Sequence, residues 1–148
     1  MNRNEVPALE LSVVVPVFNE LANLDPLVER VRATLDGLAL SWELVTVDDG
    51  SSDGSGDRLD ELAATEPRLR ALRLAHHAGQ SAALEAGFRH ARGRWIAVTD
   101  ADLQTYPEDL PLLLDVVARE GVDAAVGIRE QRRDSGWKRF SSRFANWV

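Results

Sequence analysis

The amino-acid sequence predicts an α/β fold, a mostly parallel sheet with helices on both faces. Three observations predict it. Short apolar, β-branched runs alternate with segments whose apolar residues recur at helical spacing. The first run, Leu11–Val15, is apolar almost throughout, as in strands covered on both faces. The polar, Asp- and Gly-rich stretches all follow strands, and open parallel sheets bind ligands at the carboxyl ends of their strands.

The elements follow in order. After the strand Leu11–Val15, residues Leu24, Leu27, Val28, Val31 and Leu35 mark a helix face, with Gly37 at the position of a C-terminal cap. Trp42–Val47 reads as a second strand. Asp57–Ala64 reads as a short helix ended ahead of Pro67. Leu69–Leu74 is a third strand and Gln80–Ala91 a helix closed by Gly93. Trp95–Thr99 is a fourth strand. Glu108–Glu120 is a helix opened by Pro107, with acidic residues at its positive end. Val122–Ile128 reads as a fifth strand. The loops Pro16–Glu20, Asp48–Gly56, Asp100–Tyr106 and the stretch from Arg129 onward should gather on one edge of the sheet.

With 148 residues the chain has the size of one domain, and 45% hydrophobic with 28% charged residues suits a soluble globular protein. The net charge of −7 is unevenly spread. Arg129–Arg143 holds six basic residues against Glu130 and Asp134, a local +4 that leaves −11 elsewhere. An acidic body argues against general nucleic-acid binding, while one basic end suits a local anionic partner such as a diphosphate or a lipid headgroup. The absence of cysteine excludes disulfides and thiolate metal sites and fits a reducing cytosol. The polar start of the sequence lacks a signal-peptide core, and no run approaches the roughly 20 apolar residues of a membrane span.

Three post-strand loops carry chemistry. In Asp100-Ala101-Asp102-Leu103-Gln104, two carboxylates spaced i, i+2 at a strand end should point the same way, with the Gln104 oxygen two residues on. Crowded carboxylates repel unless a cation sits between them. Such hard oxygen ligands suit Mg²⁺ or Mn²⁺ bridging to a substrate phosphate. Asp48-Asp49-Gly50-Ser51-Ser52-Asp53-Gly54 reads either as a polar turn or as a loop whose carboxylate meets a nucleobase or ribose. Pro16-Val17-Phe18-Asn19-Glu20 reads either as a strand stop or as a loop that lays Phe18 and Glu20 against a base and sugar. Arg129, Arg132, Arg133, Lys138 and Arg139 are either a solvated loop or a clamp for diphosphate charge. If residues 137–148 are helical, Trp137, Phe140, Phe144, Trp147 and Val148 fall on one arc of about 100° opposite Lys138, Arg139 and Arg143. That pattern suits either a membrane interface or packing on a neighbour. The three histidines, His76, His77 and His90, read as surface or helix-flanking residues.

In this order, Val13–Glu20 (VVVPVFNE), Val47–Gly54 (VDDGSSDG), Gly79–Gly87 (GQSAALEAG) and Thr99–Asp109 (TDADLQTYPED) resemble family 2 glycosyltransferases of the Rossmann-like GT-A fold. Gly127–Arg129, Asp134-Ser135 and Lys138–Asn146 are more particularly similar to polyprenol-phosphate sugar transferases, such as dolichol-phosphate mannosyltransferases and undecaprenyl-phosphate glycosyltransferases. The resemblance implies inverting, metal-dependent transfer of a sugar from a nucleotide-diphosphate sugar to a polyprenyl phosphate. Carried over by position, Pro16, Phe18, Glu20, Val47, Asp49 and Ala101 would bind the nucleotide. Asp100, Asp102 and Gln104 would hold Mg²⁺ or Mn²⁺, with Asp100 and Asp102 as the catalytic pair. Arg129, Lys138 and Arg139 would contact donor or acceptor phosphate.

The resemblance also implies a single nucleotide-sugar-binding domain over residues 1–148, C-terminally truncated at Val148, with a basic amphipathic tail over 129–148. Its implied place is the cytoplasm, in peripheral contact with the inner face of the membrane. A soluble transferase acting on a glycan and a non-catalytic nucleotide-binding module are the alternatives. A nucleotidyltransferase would want a Gly-rich, basic loop after the first strand, which Pro16–Glu20 is not.

Overall fold

The computed structural model describes residues 9–127. Four parallel strands form one sheet in the order β3-β2-β1-β4: β1 (Leu11–Val17), β2 (Trp42–Asp48), β3 (Leu69–Arg73) and β4 (Trp95–Val98). The helices are α1 (Leu24–Asp36), α2 (Ser55–Thr65), α3 (Gln80–His90) and α4 (Leu110–Glu120), the last entered through a 3₁₀ turn at Pro107–Asp109. The chain winds outward from β1 to β3 and then crosses back to place β4 on the other side of β1. The order therefore reverses between β1 and β4, and a crevice opens where the loops after these strands diverge.

β1 is central, and both its faces are covered. Val13, Val15 and Val17 pack with Leu24, Leu27, Val31 and Leu35 of α1, Leu59 of α2 and Leu110 of α4. Val14, pointing the other way, packs with Val45, Val47 and Ala83 under α3. Gly87 lets α3 lie close to the sheet, because a Cβ there would collide with Val14 and crowd Val47. The continuous apolar run expected for a strand buried on both faces is what β1 displays.

A buried polar network ties the opposite end of α3. Glu43 accepts from the Ser12 hydroxyl at 2.7 Å and the Arg92 N–H at 2.8 Å, and Arg70 reaches its other oxygen at 3.3 Å. Arg70 also donates to the His90 carbonyl at the end of α3. The Gly93 N–H donates to Ser12 Oγ, in a space where any Cβ would strike the Ser12 backbone.

Several boundaries differ from the sequence reading. Gly37 caps α1 with right-handed backbone (φ −76°), whereas Gly121 after α4 takes the left-handed conformation (φ 62°). The expected fifth strand is not formed over 122–127, and Ile128 lies outside the described residues. Val122 and Val126 favour extended chain, but Asp123, Ala124, Ala125 and Gly127 between and beside them do not. Residues 123–127 instead face β4 and α4 across a cavity of about 560 Å³.

Two stability predictions follow from the buried polar groups. Burial alone would raise the Glu43 pKa, but the hydrogen bonds from Ser12, Arg92 and Arg70 outweigh it and hold the carboxyl below its ordinary 4.5. A carboxyl depressed in the folded state stabilises above its unfolded pKa and loses that contribution as pH falls through the folded value. Glu43→Gln should therefore cost about 1–2 kcal/mol at pH 7 and progressively less as the pH is lowered below 4.5, measured by urea unfolding across that range. Thr46 Oγ1 is buried in β2 with no hydrogen-bond partner among the described residues. Thr46→Val should raise the melting temperature, since it removes an unsatisfied polar atom at constant shape.

Candidate active site

The loop after β1 and the loop after β2 are stitched together through side chains. Ser51 Oγ accepts from the Asn19 N–H, and Asn19 Oδ1 accepts from the Ser52 N–H, both at 2.9 Å. Ser55 Oγ accepts from the Glu20 N–H, and Asp53 accepts from the Leu21 N–H and from the Ser55 hydroxyl. Burial would raise the Asp53 pKa, yet the donors from Ser55 and Leu21 prevail and lower it. Asn19 sits at φ 55°, a left-handed conformation that Asn enters more readily than most residues. Gly50 is left-handed at φ 70°, and a Cβ on it would lie 2.6 Å from the His77 nitrogen.

The two adjacent aspartates at the end of β2 part company. Asp48 turns away from the crevice: it accepts from the Ser51 N–H at 3.0 Å and faces Arg73 Nε at 3.7 Å. Asp49 turns inward. Its Oδ1 accepts from the Ala78 N–H at 2.7 Å and its Oδ2 from the Gly79 N–H at 2.9 Å. His77 Nδ1 lies 2.8 Å from the same Oδ2. The His77 ring stacks on Phe18 with centroids 4.0 Å apart and planes 24° from parallel.

These loops surround a cavity of about 380 Å³ at the β1/β4 crevice. Pro16, Phe18, Glu20, Asp49, Asp100, Ala101 and Asp102, all singled out from sequence, line it together. Val47 does not: its side chain is fully buried beneath α3. Gln104 lies instead on the apolar cavity beside α4. Arg129, Lys138 and Arg139, and with them the tail over 129–148, lie outside the described residues.

The reason Gln104 departs is backbone geometry. Extended chain ends at Val98, residues 101–102 form a turn, and Leu103 adopts φ 58°. Alternation along a strand therefore does not extend to Gln104, and it is the turn that brings Asp100 and Asp102 to one cavity. Asp102 Oδ1 accepts from the Gln104 N–H at 2.9 Å, and Thr105 Oγ1 accepts from the Asp100 N–H at 3.3 Å while bonded to Thr99 Oγ1 at 2.6 Å. Asp100 Oδ1 accepts from Gln80 Nε2 at 3.3 Å.

Among the described residues no cation pairs with Asp100 or Asp102, in contrast to Asp48 with Arg73 and Glu43 with Arg70. No group of three or more His, Asp or Glu forms a metal cage among the described residues. Two carboxylates on one cavity still fit Mg²⁺ or Mn²⁺. Such ions take one or two protein carboxylates and complete their shell with substrate phosphate and water.

His77 is exposed, as the sequence reading expects, but it also lines the cavity and pairs with Asp49. His90 does flank a helix, with Nδ1 near the Ala86 carbonyl at 2.8 Å. The Asp49 partner of His77 lies 28 residues away in sequence, so local inspection missed it. The available signal was its place just after a strand and before the Gly79 turn.

A carboxylate that accepts from three donors cannot be replaced by an amide. In Asp49→Asn, whichever way the amide turns, an NH₂ faces at least one backbone N–H. The variant should lose about 2–3 kcal/mol by chemical denaturation despite its equal size.

Comparison with known proteins completes the site's description. The family described as Glycosyl transferase family 2 matches residues 12–147. The dodecaprenyl-phosphate galacturonate synthase of Rhizobium johnstonii is 44% identical over 130 residues, covering 87% of this chain and 38% of that protein. The undecaprenyl-phosphate 4-deoxy-4-formamido-L-arabinose transferase of Pseudomonas paraeruginosa is 42% identical over 137 residues, 92% of this chain and 40% of that one. The chain thus spans about two-fifths of the length of these relatives. Among solved structures, the mannosyltransferase PcManGT of Pyrobaculum calidifontis, in complex with GDP-Man and Mn²⁺, matches at TM-score 0.59 and 28% identity over 76% of this chain and 33% of that one. S. aureus TarS 1-349 in complex with UDP-GlcNAc matches at TM-score 0.66 and 20% identity, covering 86% and 37%, a likeness of fold.

Proposed function

The chain belongs to glycosyl transferase family 2, and on that premise we propose that residues 9–127 form the donor side of an enzyme that moves a sugar from a nucleoside diphosphate to a polyprenyl phosphate. The observation that carries the reading is the meeting of Asp100 and Asp102 with Pro16, Phe18, Glu20 and Asp49 around one cavity. The acceptor class is suggested by relatives named for dodecaprenyl and undecaprenyl phosphate, and the donor class by the GDP-Man complex of a 28% identical neighbour.

In this reading Phe18 and Pro16 offer apolar surface to the base, and Glu20 and Asp49 define the nucleoside end. Ala101 lets the sugar-diphosphate pass close to the backbone. Asp100 and Asp102 would hold Mg²⁺ or Mn²⁺, and Gln80 steadies Asp100 from the start of α3. The divalent ion supplies the positive charge that stabilises a departing diphosphate. The acceptor phosphate oxygen attacks the anomeric carbon on the face opposite the leaving group, which inverts that centre. That oxygen is already anionic at neutral pH, so no strong general base is required, and no described residue is given that role. Arg129, Lys138 and Arg139 belong to a basic stretch suited to acceptor phosphate and to an anionic membrane surface. Among the described residues no helix is long and apolar enough to cross a membrane. Contact with the cytoplasmic membrane face would therefore be peripheral in this part of the chain.

The test is Asp102→Asn, which removes the charge while keeping an oxygen for the Gln104 N–H. Calorimetry with Mn²⁺ and GDP or UDP should show affinity reduced by about 100-fold or more, and the parent's Mn²⁺-dependent rise in melting temperature should vanish. Unchanged affinity in the folded variant would remove Asp102 from the metal site.

A further inference from the structure

The cavity wall holds one polar group that the reading above leaves unused. The His77 side chain is 54% exposed and lines the cavity, while Asp49 beside it is only 3% exposed. His77 Nδ1 lies 2.8 Å from Asp49 Oδ2 and 3.3 Å from the Asp49 main-chain oxygen. A carboxylate oxygen and a carbonyl oxygen are both acceptors, so Nδ1 must carry the ring hydrogen. In neutral imidazole the other nitrogen, Nε2, is then an acceptor. Nε2 has no partner among the described residues. Asp49, almost wholly buried, already accepts from Ala78, Gly79 and His77. The more exposed hydrogen-bonding edge at this end of the cavity is the imidazole's, beside a carboxylate that is almost wholly buried. Phe18, stacked on His77 and itself 44% exposed, provides the ring surface beside that edge.

We propose that His77 reads the base of the donor nucleotide through Nε2, with Asp49 acting as the positioning residue that fixes the imidazole tautomer. The proposal rests on the donor reading of this cavity and narrows it to a class of base. An acceptor at Nε2 pairs with a base that presents a ring N–H, as uracil, thymine and guanine do. Adenine and cytosine present a lone pair at the corresponding ring nitrogen, so acceptor would face acceptor.

The experiment is calorimetry of the full chain with Mn²⁺ and UDP, CDP, GDP, ADP or inorganic pyrophosphate. The parent should bind UDP over CDP, and GDP over ADP, by about tenfold or more. In His77→Ala both ratios should fall to within about twofold, while Mn²⁺-pyrophosphate, which carries no base, binds as in the parent. His77→Asn serves as a second variant, because its amide can still donate to Asp49 but offers no imidazole Nε2. It should melt close to the parent and lose the same discrimination. Parent-like base ratios in folded His77→Asn, or a parent that prefers cytosine or adenine, would overturn the proposal. Loss of pyrophosphate binding by the parent itself would instead strike the donor reading beneath it.

Discussion

A carboxylate almost wholly withdrawn from water governs this molecule's shape. Asp49 can occupy the end of β2 only because donors are supplied to it, and two of them are backbone N–H groups of the segment that starts α3. Satisfying that one group fixes where the β3–α3 connection runs. It draws His77 over the end of β2 and so sets the face on which Phe18 stacks. The tight approach requires Gly50, whose left-handed backbone lets the turn pass beneath His76 and His77. A separate set of bonds among Asn19, Ser51, Ser52, Asp53 and Ser55 holds the neighbouring loop. One wall of the cavity is thus preorganised before any ligand arrives, which spares binding the cost of ordering it.

Helix α3 is pinned at both ends by acidic groups and pressed flat in between. Asp49 holds its start, and Glu43, through Arg92 and through Arg70 on the His90 carbonyl, holds its finish. Gly87 removes the side chain that would lift its middle off Val14 and Val47. Because Gly93 and Arg92 also bond Ser12 and Glu43, the same network aligns the start of β4 with β1. The position at which Asp100 and Asp102 emerge is therefore set from the far end of the sheet. This arrangement separates carboxylates paired with arginines from carboxylates that face the cavity. Glu43 and Asp48 face arginines, whereas Asp100 and Asp102 face an open cavity with no cation beside them among the described residues. In the proposed function, that imbalance is what suits the crevice to a divalent ion and the anion that accompanies it.

The class of fold, the order of its four strands and four helices and most of the cavity lining were legible in the amino-acid sequence. Period-two and period-3.6 patterns are local, and β1, buried on both faces, writes its environment directly into an unbroken apolar run. The rule that ligands meet parallel sheets at their carboxyl ends then gathered the Phe18, Asp49 and Asp100 loops without any knowledge of contacts. The fifth strand failed because β-branched residues at 122 and 126 are separated by residues with little preference for extended chain.

How the polar groups divide their work was settled by packing between distant elements. Which of Asp48 and Asp49 turns inward, and that Val47 faces α3 rather than the cavity, depend on packing between elements distant in the chain. Gln104 left the expected cluster because a left-handed Leu103 breaks the alternation assumed for extended backbone. His77 became a site residue through a partner 28 positions away. Apolar patterning repeats along the chain and is read locally, but a hydrogen bond between loops is specified only once the sheet has brought them together.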